Sequence, residues 1–312
     1  MEKWGNEARV IAGGTDLLGL MKDRLEGPRL RTPQVLINVK RIAEMKRIDP
    51  DDELGLRIGA AVTLNQLGAS DIIRKRFSIL SQAARQIGTT QIRNMGTVGG
   101  NLCQRPQCMY FRHPDFLCYK KGGRTCYAVS GEHRFDHSVI NYGKCVVAHP
   151  SDLAPAFIAL KASAIIATSN GERQVPLQDF FQGPNDYTET VLKAGELLVA
   201  VRVPNERSKT NQLFLKHQVR HASDFALASV AMVAAMSEGI VQDIRIVMGG
   251  IAPFPYVAPK TAEIINGKSL DSKLISRAAE ASIDGARPLP RNGYKIDLAK
   301  AMVKRALESI RK

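Results

Sequence analysis

The sequence contains no apolar run approaching the eighteen or more residues a membrane-spanning helix requires. Its first residues, MEKWGNEARVIAGG, hold neither an apolar signal core nor a twin-arginine pair. A cytoplasmic chain is therefore expected, unless it is exported bound to a partner that carries a signal. There is no G-x-G-x-x-G, no G-x-x-x-x-G-K, no G-x-S-x-G and no H-E-x-x-H. Those absences remove the Rossmann fingerprint, the P-loop, the hydrolase nucleophile elbow and the zincin site. No carboxylate pair suggests acid–base work on an organic substrate. Aromatics are scarce, with a single Trp, and the basic residues are not interleaved with them, so no nucleic-acid recognition module has its signature.

The balance of what is present is that of a globular protein of one large or two ordinary domains: 312 residues, 44% hydrophobic and 24% charged. The formal net charge is +14. Such an excess serves either phosphate backbones, by counterion release, or an acidic partner subunit. Its carriers are scattered (Lys40, Arg41, Arg74, Lys75, Arg76, Lys304, Arg305, Arg311), which favours the partner.

All five cysteines fall between positions 103 and 145. An odd number in a chain without a signal argues against a disulfide framework. No two form C-x-x-C, so zinc-ribbon, ferredoxin and thioredoxin patterns do not apply. Cys108, Cys118, Cys126 and Cys145 supply four thiols, which suit a 4Fe–4S cluster or a structural zinc ion, with Cys103 slightly upstream. The segment Tyr110–Cys126 is rich in Pro, Gly, Lys and His. It is expected to bury too little apolar surface to order itself, and a metal centre would supply that free energy. The competing reading is free thiols in a loop-rich insertion. His113, His133, His137 and His149 lie nearby without ligand spacing and are expected to be surface or hydrogen-bonding residues.

Two glycine turns stand apart from the rest. The strand-like Arg9–Ala12 runs into Gly13-Gly14-Thr15-Asp16 and a helix start at Leu17. The second turn, Gly96-Thr97-Val98-Gly99-Gly100-Asn101, leads straight into the cysteines. Glycines let a backbone approach a ligand closely, and the N–H groups of such turns suit an anionic diphosphate. Asp152, in the His149-Pro150-Ser151-Asp152 turn, is placed to accept hydrogen bonds from a ribitol or ribose hydroxyl. A dinucleotide site beside a cysteine centre suggests two adjacent redox centres.

Between these motifs, strands are expected at Val35–Val39 (buried), Leu54–Ile58 (one face half exposed), Val146–Ala148, Ile165–Ala167 and at the end of Gly195–Pro204, stopped by the proline. Helices are expected from Leu64, over Ile79–Ile87 and over Leu153–Leu160. The polar stretch Asn205–Gln212 reads as a linker. Beyond it, Asn211–His217, Ala226–Met236 and Ile244–Met248 read as an antiparallel sheet closed by two helices, the last amphipathic over Asp297–Ile310.

The set AGGTDLL, GTVGGNL, HPSDLAPA, ELLVAVRVP and a late F-x-K-H resembles, in order and over essentially the whole chain, the FAD-binding subunit of the molybdenum hydroxylases. That is the xanthine dehydrogenase and carbon monoxide dehydrogenase family. The resemblance implies an α+β protein: two α/β FAD-binding subdomains at 1–53 and 54–207, then a C-terminal α+β domain at 208–312 with an antiparallel sheet and helices. It implies FAD contacts at Ala12, Gly13, Gly14, Thr15, Asp16, Leu17, Ile87, Thr97, Gly99, Gly100, Asn101, Asp152, Leu198 and Lys216. The cysteine insertion resembles a subset that includes 4-hydroxybenzoyl-CoA reductase and bacterial aldehyde oxidoreductase, which implies a 4Fe–4S cluster on Cys108, Cys118, Cys126 and Cys145. Implied partners are a molybdopterin-binding large subunit and a 2Fe–2S small subunit, with electrons passing through the flavin to or from an external carrier. Only eleven residues precede Ala12, fewer than the family usually carries, so an upstream start or a missing edge element is expected. Two rivals remain: a zinc-stapled basic binding module without redox activity, and a flavin oxidase of the vanillyl-alcohol type. For the latter, residues 210–312 are short to hold a substrate pocket.

Overall fold

A computed structural model describes residues 2–51, 53–140, 142–205, 209–220 and 222–311. The linker expected at Asn205–Gln212 falls partly outside the described residues. In the first subdomain β1 (Ala8–Ile11) lies parallel to β2 (Val35–Asn38), with α1 (Leu17–Lys22) in the crossover. In β2, expected to be buried, exposed and half-buried residues alternate, because a two-stranded sheet has no second layer to cover it.

The second subdomain is a five-stranded sheet in the order β3-β4-β7-β5-β6, every pairing antiparallel. Its strands are β3 (Ile48–Asp51), β4 (Gly55–Gly59), β5 (Ser163–Thr168), β6 (Gly171–Pro176) and β7 (Leu197–Val203). Leu56 and Ile58 are fully buried and their neighbour Arg57 is half-buried, so β4 is more enclosed than its alternation suggests. The helices α2 (Leu64–Ala69), α3 (Asp71–Arg76), α4 (Ser78–Arg85), α5 (Thr90–Met95), α6 (Val98–Leu102) and α7 (Leu153–Ala159) cover it. Helix α2 starts where the sequence places it: Thr63 accepts from Gln66 N while the Gln66 side chain accepts from Thr63 N, a capping box. Helix α7 is buried along its whole length and packs on both the five-stranded sheet and the C-terminal one.

The C-terminal domain pairs β8 (Thr210–His217), β9 (Ala228–Ser237), β10 (Ile240–Gly249) and β11 (Tyr256–Val257) in the order β11-β10-β9-β8, antiparallel throughout. Three helices follow, one more than expected: α8 (Pro259–Ile265), α9 (Ser272–Ala281) and α10 (Tyr294–Glu308). Met302, Val303, Ala306 and Leu307 of α10 pack on β9, the amphipathic docking the sequence predicts.

The cysteine segment departs most from expectation. Val146–Ala148 forms no ladder, only a single bridge from Val147 to His137. The segment buries more apolar surface than its composition suggests: Phe111 and Tyr119 are buried against Leu20, Leu25 and Leu30 of the first subdomain. The aromatic residues, sparse as they are, meet an apolar surface supplied from outside the segment, which local composition cannot show.

Candidate functional site

The two glycine loops butt against each other. A Cβ on Gly13 would overlap the Met95 carbonyl oxygen at the end of α5, so only glycine permits this approach. Gly14 holds φ at +74°, a conformation costly to any other residue. Gly96 N–H donates to Ile92 O, and Gly96 O accepts from Leu64 N, fixing the second loop to α2. Thr97 then caps α6 by accepting from Gly100 N at 3.1 Å. The stretch read as a glycine turn is thus a short helix whose N-terminal turn faces the first loop.

A cleft of about 400 Å³ opens at this seam. Of the predicted residues it is lined by Thr15, Asp16, Ile87, Thr97, Gly100, Asn101, Asp152 and Lys216. On the other side of the same turn lies an apolar cavity of about 160 Å³, lined by Ala12, Gly99 and Leu198 and sharing Thr97 and Gly100 with the cleft. An elongated ligand with a polar middle and flat ends fits this pair, its middle on the Thr97–Gly100 turn. Gly13, Gly14 and Leu17 line neither space; they set the loop and start α1. Arg112, Gln104, Gln107 and Phe225 also line the cleft and were not singled out from sequence. No motif marks them, since Arg112 and Gln107 belong to the irregular cysteine segment.

Three polar contacts tie the site together across long sequence separations. Asp16 stands at the N-terminus of α1 but makes no capping bond. Its carboxylate instead accepts from Arg105 N at 2.9 Å and pairs with Arg112 at 2.5 Å. Asn101 Oδ1 accepts from Ser151 Oγ at 2.6 Å, which joins the glycine turn to the turn containing Asp152. Asp152 itself is paired with Lys216 of β8 at 2.8 Å, and Lys216 Nζ also donates to Gln86 O at 3.0 Å.

Both partners of that pair are buried. Burial raises the Asp152 pKa, opposed by Lys216. A carboxyl whose folded pKa is raised takes up its proton more readily when folded, so it gains stability as pH falls towards the unfolded value of about 3.9. Lys216→Met is therefore expected to destabilise the flavin-free chain by about 3–5 kcal/mol at neutral pH, where it strands a buried carboxylate. The loss should shrink as pH falls through the raised pKa. Urea denaturation at pH 7 and pH 5 checks this; equal losses at both would show that Asp152 is not stranded.

Cys108, Cys118, Cys126 and Cys145 line one small cavity of about 10 Å³, room for about one water. Each sulfur has backbone N–H groups directed at it: from Tyr110 and Phe111 on Cys108, Lys120 and Lys121 on Cys118, Ala128, Val129 and Val146 on Cys126, and Val147 on Cys145. Burial outweighs these donors at Cys108, whose pKa is pushed up to about 12, and at Cys118, whose pKa is raised; the donors act in the opposite sense, towards thiolate. The Cys145 thiol also hydrogen-bonds Cys126, lowering the Cys126 pKa and raising that of Cys145. Cys103 has no such donors; burial alone pushes its pKa up to about 12, and it lines the apolar cavity instead. The donor set of the four fits a Cys₄ centre, though the sulfurs would have to part to admit one. Among the described residues, no three His, Cys, Asp or Glu side chains already stand as a metal-ligating group.

Of the four histidines near the cysteines, His113 is exposed and the other three are buried and hydrogen-bonded, so they meet the second part of the expectation and not the first. His133 is buried, with Nδ1 against Ala128 O and Nε2 accepting from Arg291 N at 3.0 Å. His149 is buried edge-on to Phe181, and burial pushes its pKa down to about 3. His137 is buried with Nε2 3.3 Å from Cys108 Sγ; burial, then Lys295, pushes its pKa down to about 4.

Comparison with known proteins agrees with this geometry. The FAD binding domain in molybdopterin dehydrogenase matches residues 1–206, and the CO dehydrogenase flavoprotein C-terminal domain matches residues 214–310. The chain is 34% identical to the aldehyde oxidoreductase FAD-binding subunit PaoB of Escherichia coli (strain K12), over 97% of this chain and 92% of that protein. It is 29% identical to the carbon monoxide dehydrogenase medium chain of Hydrogenophaga pseudoflava, over 98% and 90%. A solved structure of carbon monoxide dehydrogenase from Hydrogenophaga pseudoflava superposes with a TM-score of 0.76 at 28% identity, covering 99% of this chain and 91% of that one. With the two glycine loops, the cleft between them and matches along almost its full length, this chain belongs to the FAD-binding medium subunits of the molybdenum hydroxylase family.

Proposed function

We propose that this chain carries electrons between an FAD seated at the Thr97–Asn101 turn and a 4Fe–4S cluster held by Cys108, Cys118, Cys126 and Cys145. It would do so as the flavoprotein subunit of a complex whose substrate site lies on a molybdopterin-binding large subunit and whose small subunit carries 2Fe–2S clusters. The observation that carries this reading is that one short segment lines both sites. Gln104, Gln107 and Arg112 face the cleft, while Pro106, Cys108, Tyr110 and Phe111 face the cysteine cavity. A cluster ligand would then be one residue from a cleft-lining side chain.

When bound, FAD would exchange electrons singly or in pairs, so it can join one-electron carriers to a two-electron acceptor or donor. The residues of this chain would hold and orient it. The first loop and the Thr97–Gly100 turn supply backbone N–H groups and space for the diphosphate. Ala12 and Leu198 line the apolar end, and Ile87, Asp152 and Lys216 the wider end of the cleft. Lys216 is already neutralised by Asp152, so the site gains little net charge from it. The division into 1–53, 54–207 and 208–312 is part of the same proposal, with FAD between the first two units and Lys216 reaching in from the third. The net charge of +14 suits docking on acidic partner surfaces, and ligand thiolates suit a reducing compartment.

The test is anaerobic purification of the full chain, alone and co-expressed with the large and small subunits encoded beside it. A flavin absorbance spectrum, about four irons per chain for a Cys₄ cluster, and co-purification with both neighbours are expected. A stable, colourless monomer that ignores both, or one holding zinc in place of iron, would overturn the reading.

A further inference from the structure

Resting on the assignment of the four cysteines as cluster ligands, we propose that His137 is a positioning residue for the cluster. Its Nε2–H would donate to the Cys108 sulfur and raise the reduction potential of the centre. The ring is buried, with Nε2 3.3 Å from Cys108 Sγ. A ligating thiolate only accepts hydrogen bonds, so this contact requires the proton on Nε2. Nδ1 makes no hydrogen bond of ordinary geometry among the described residues, which leaves the His133 backbone, acting on the ring to raise its pKa, as the competitor for that proton.

The ring is fixed by the backbone on either side of it. On one side Ser138 N donates to Val146 O at 2.8 Å and Ala148 N donates to Asp136 O at 2.9 Å. His137 bridges Val147 within this contact, beside the ligand Cys145. On the other side Asn292 Nδ2 donates to Ser138 O at 3.1 Å, and Lys295 Nζ donates to His137 O at 3.1 Å and Gly250 O at 2.8 Å. The C-terminal domain thus clamps the one segment whose imidazole reaches a cluster sulfur. Adding one electron to a Cys₄ iron–sulfur centre adds one negative charge, shared with the ligating sulfurs. A donor aimed at such a sulfur stabilises the reduced state more than the oxidised state, and hydrogen bonds to sulfur are among the factors that set these potentials. The N–H groups of Tyr110 and Phe111 already serve Cys108 from its own turn; His137 is a side-chain donor from elsewhere in the chain, and so can be removed by substitution.

The experiment is an EPR-monitored redox titration of the anaerobically purified full chain as wild type, His137→Phe and His137→Gln. Iron content and a reduced-cluster signal in the wild type test the underlying assignment; their absence would sink that assignment and this proposal with it. Given a cluster, His137→Phe should keep its iron and lower the midpoint by about 59 mV, a tenfold change in the ratio of reduced to oxidised centres for one electron. His137→Gln, which retains a donor, should lie closer to wild type. An unchanged midpoint in His137→Phe, or the same fall in both variants, would overturn the donor role. Loss of iron from both variants would also overturn it, leaving His137 as a structural part of the loop.

Discussion

A chain carrying Gly13→Val is expected to purify without flavin and with a weakened first subdomain. Any side chain at position 13 meets the Met95 carbonyl, which belongs to backbone tied down on both sides. Gly96 N–H donates to Ile92 O, Gly96 O accepts from Leu64 N, and Val98 N donates to Val62 O. The second loop cannot yield, so the first must swing away, and the seam that would hold the diphosphate opens. Gly100→Ala makes the informative contrast. Within α6, Gly100 costs about 1 kcal/mol of helix propensity relative to alanine, yet the structure offers little packing reason for it. A Cβ there would meet only Thr97 Oγ1, at 3.1 Å, on the side of the cleft. Gly99 differs: its Cβ would meet Ala60 Cβ at 2.9 Å and Ala60 O at 3.1 Å. That glycine is required by the fold, in addition to lining the apolar cavity. Gly100→Ala should therefore leave the thermal midpoint of the flavin-free chain unchanged or raised while weakening FAD binding at least ~100-fold, roughly 2.8 kcal/mol. Fluorescence titration of flavin-free protein measures it. Wild-type affinity in Gly100→Ala would remove that turn from the site, and flavin retention by Gly13→Val would remove the seam.

The parts of the fold that were legible are those encoded locally. The start of α2 at Leu64, the apolar run of α7 and the three long strands of the C-terminal sheet stand in the structure close to where the sequence puts them. Strand β3 was missed because it contains Pro50, which cannot donate to a ladder; it is tolerated because β3 is an edge strand. Val146–Ala148 was misread as a strand. Those residues are apolar because they are enclosed around the cysteines, not because they belong to a sheet. The glycine loops were legible as motifs, but the partner of each was not. Gly13 against Met95, Asp16 against Arg112 and Asp152 against Lys216 are each created by the packing of distant elements. Burial of His137 and His149 was invisible for the same reason: residues distant in sequence, such as Lys295 at His137 and Phe181 at His149, help to cover them.

The four cysteines that share one cavity should each be indispensable for iron, and Cys103 should not. Serine at 108, 118, 126 or 145 removes one thiolate from a set in which a cubane centre needs all four, one on each iron. Retained iron in these variants is expected to fall from about four per chain to below about one, with loss of the reduced-cluster EPR signal. The structure sharpens the contrast beyond spacing. All four sulfurs have backbone N–H donors beside them, whereas Cys103 has none and lines the apolar cavity instead. Cys103 also follows α6 directly, its N–H bonded to Gly99 O at 2.9 Å, so it is held on the glycine-turn side. Cys103→Ser should keep its iron and its signal, and any effect should appear in flavin affinity. The variants should remain folded, because Phe111 and Tyr119 still anchor on Leu20, Leu25 and Leu30 within the cluster that Cys108, Cys118 and Cys145 share. Far-UV circular dichroism near that of wild type is therefore expected in all five. This outcome separates an iron–sulfur centre from free thiols, which would show no dependence on any cysteine, and from zinc, which would fit the same four sulfurs without colour or redox signal. A cluster that survives Cys108→Ser, or one that requires Cys103, would place the centre elsewhere in the segment.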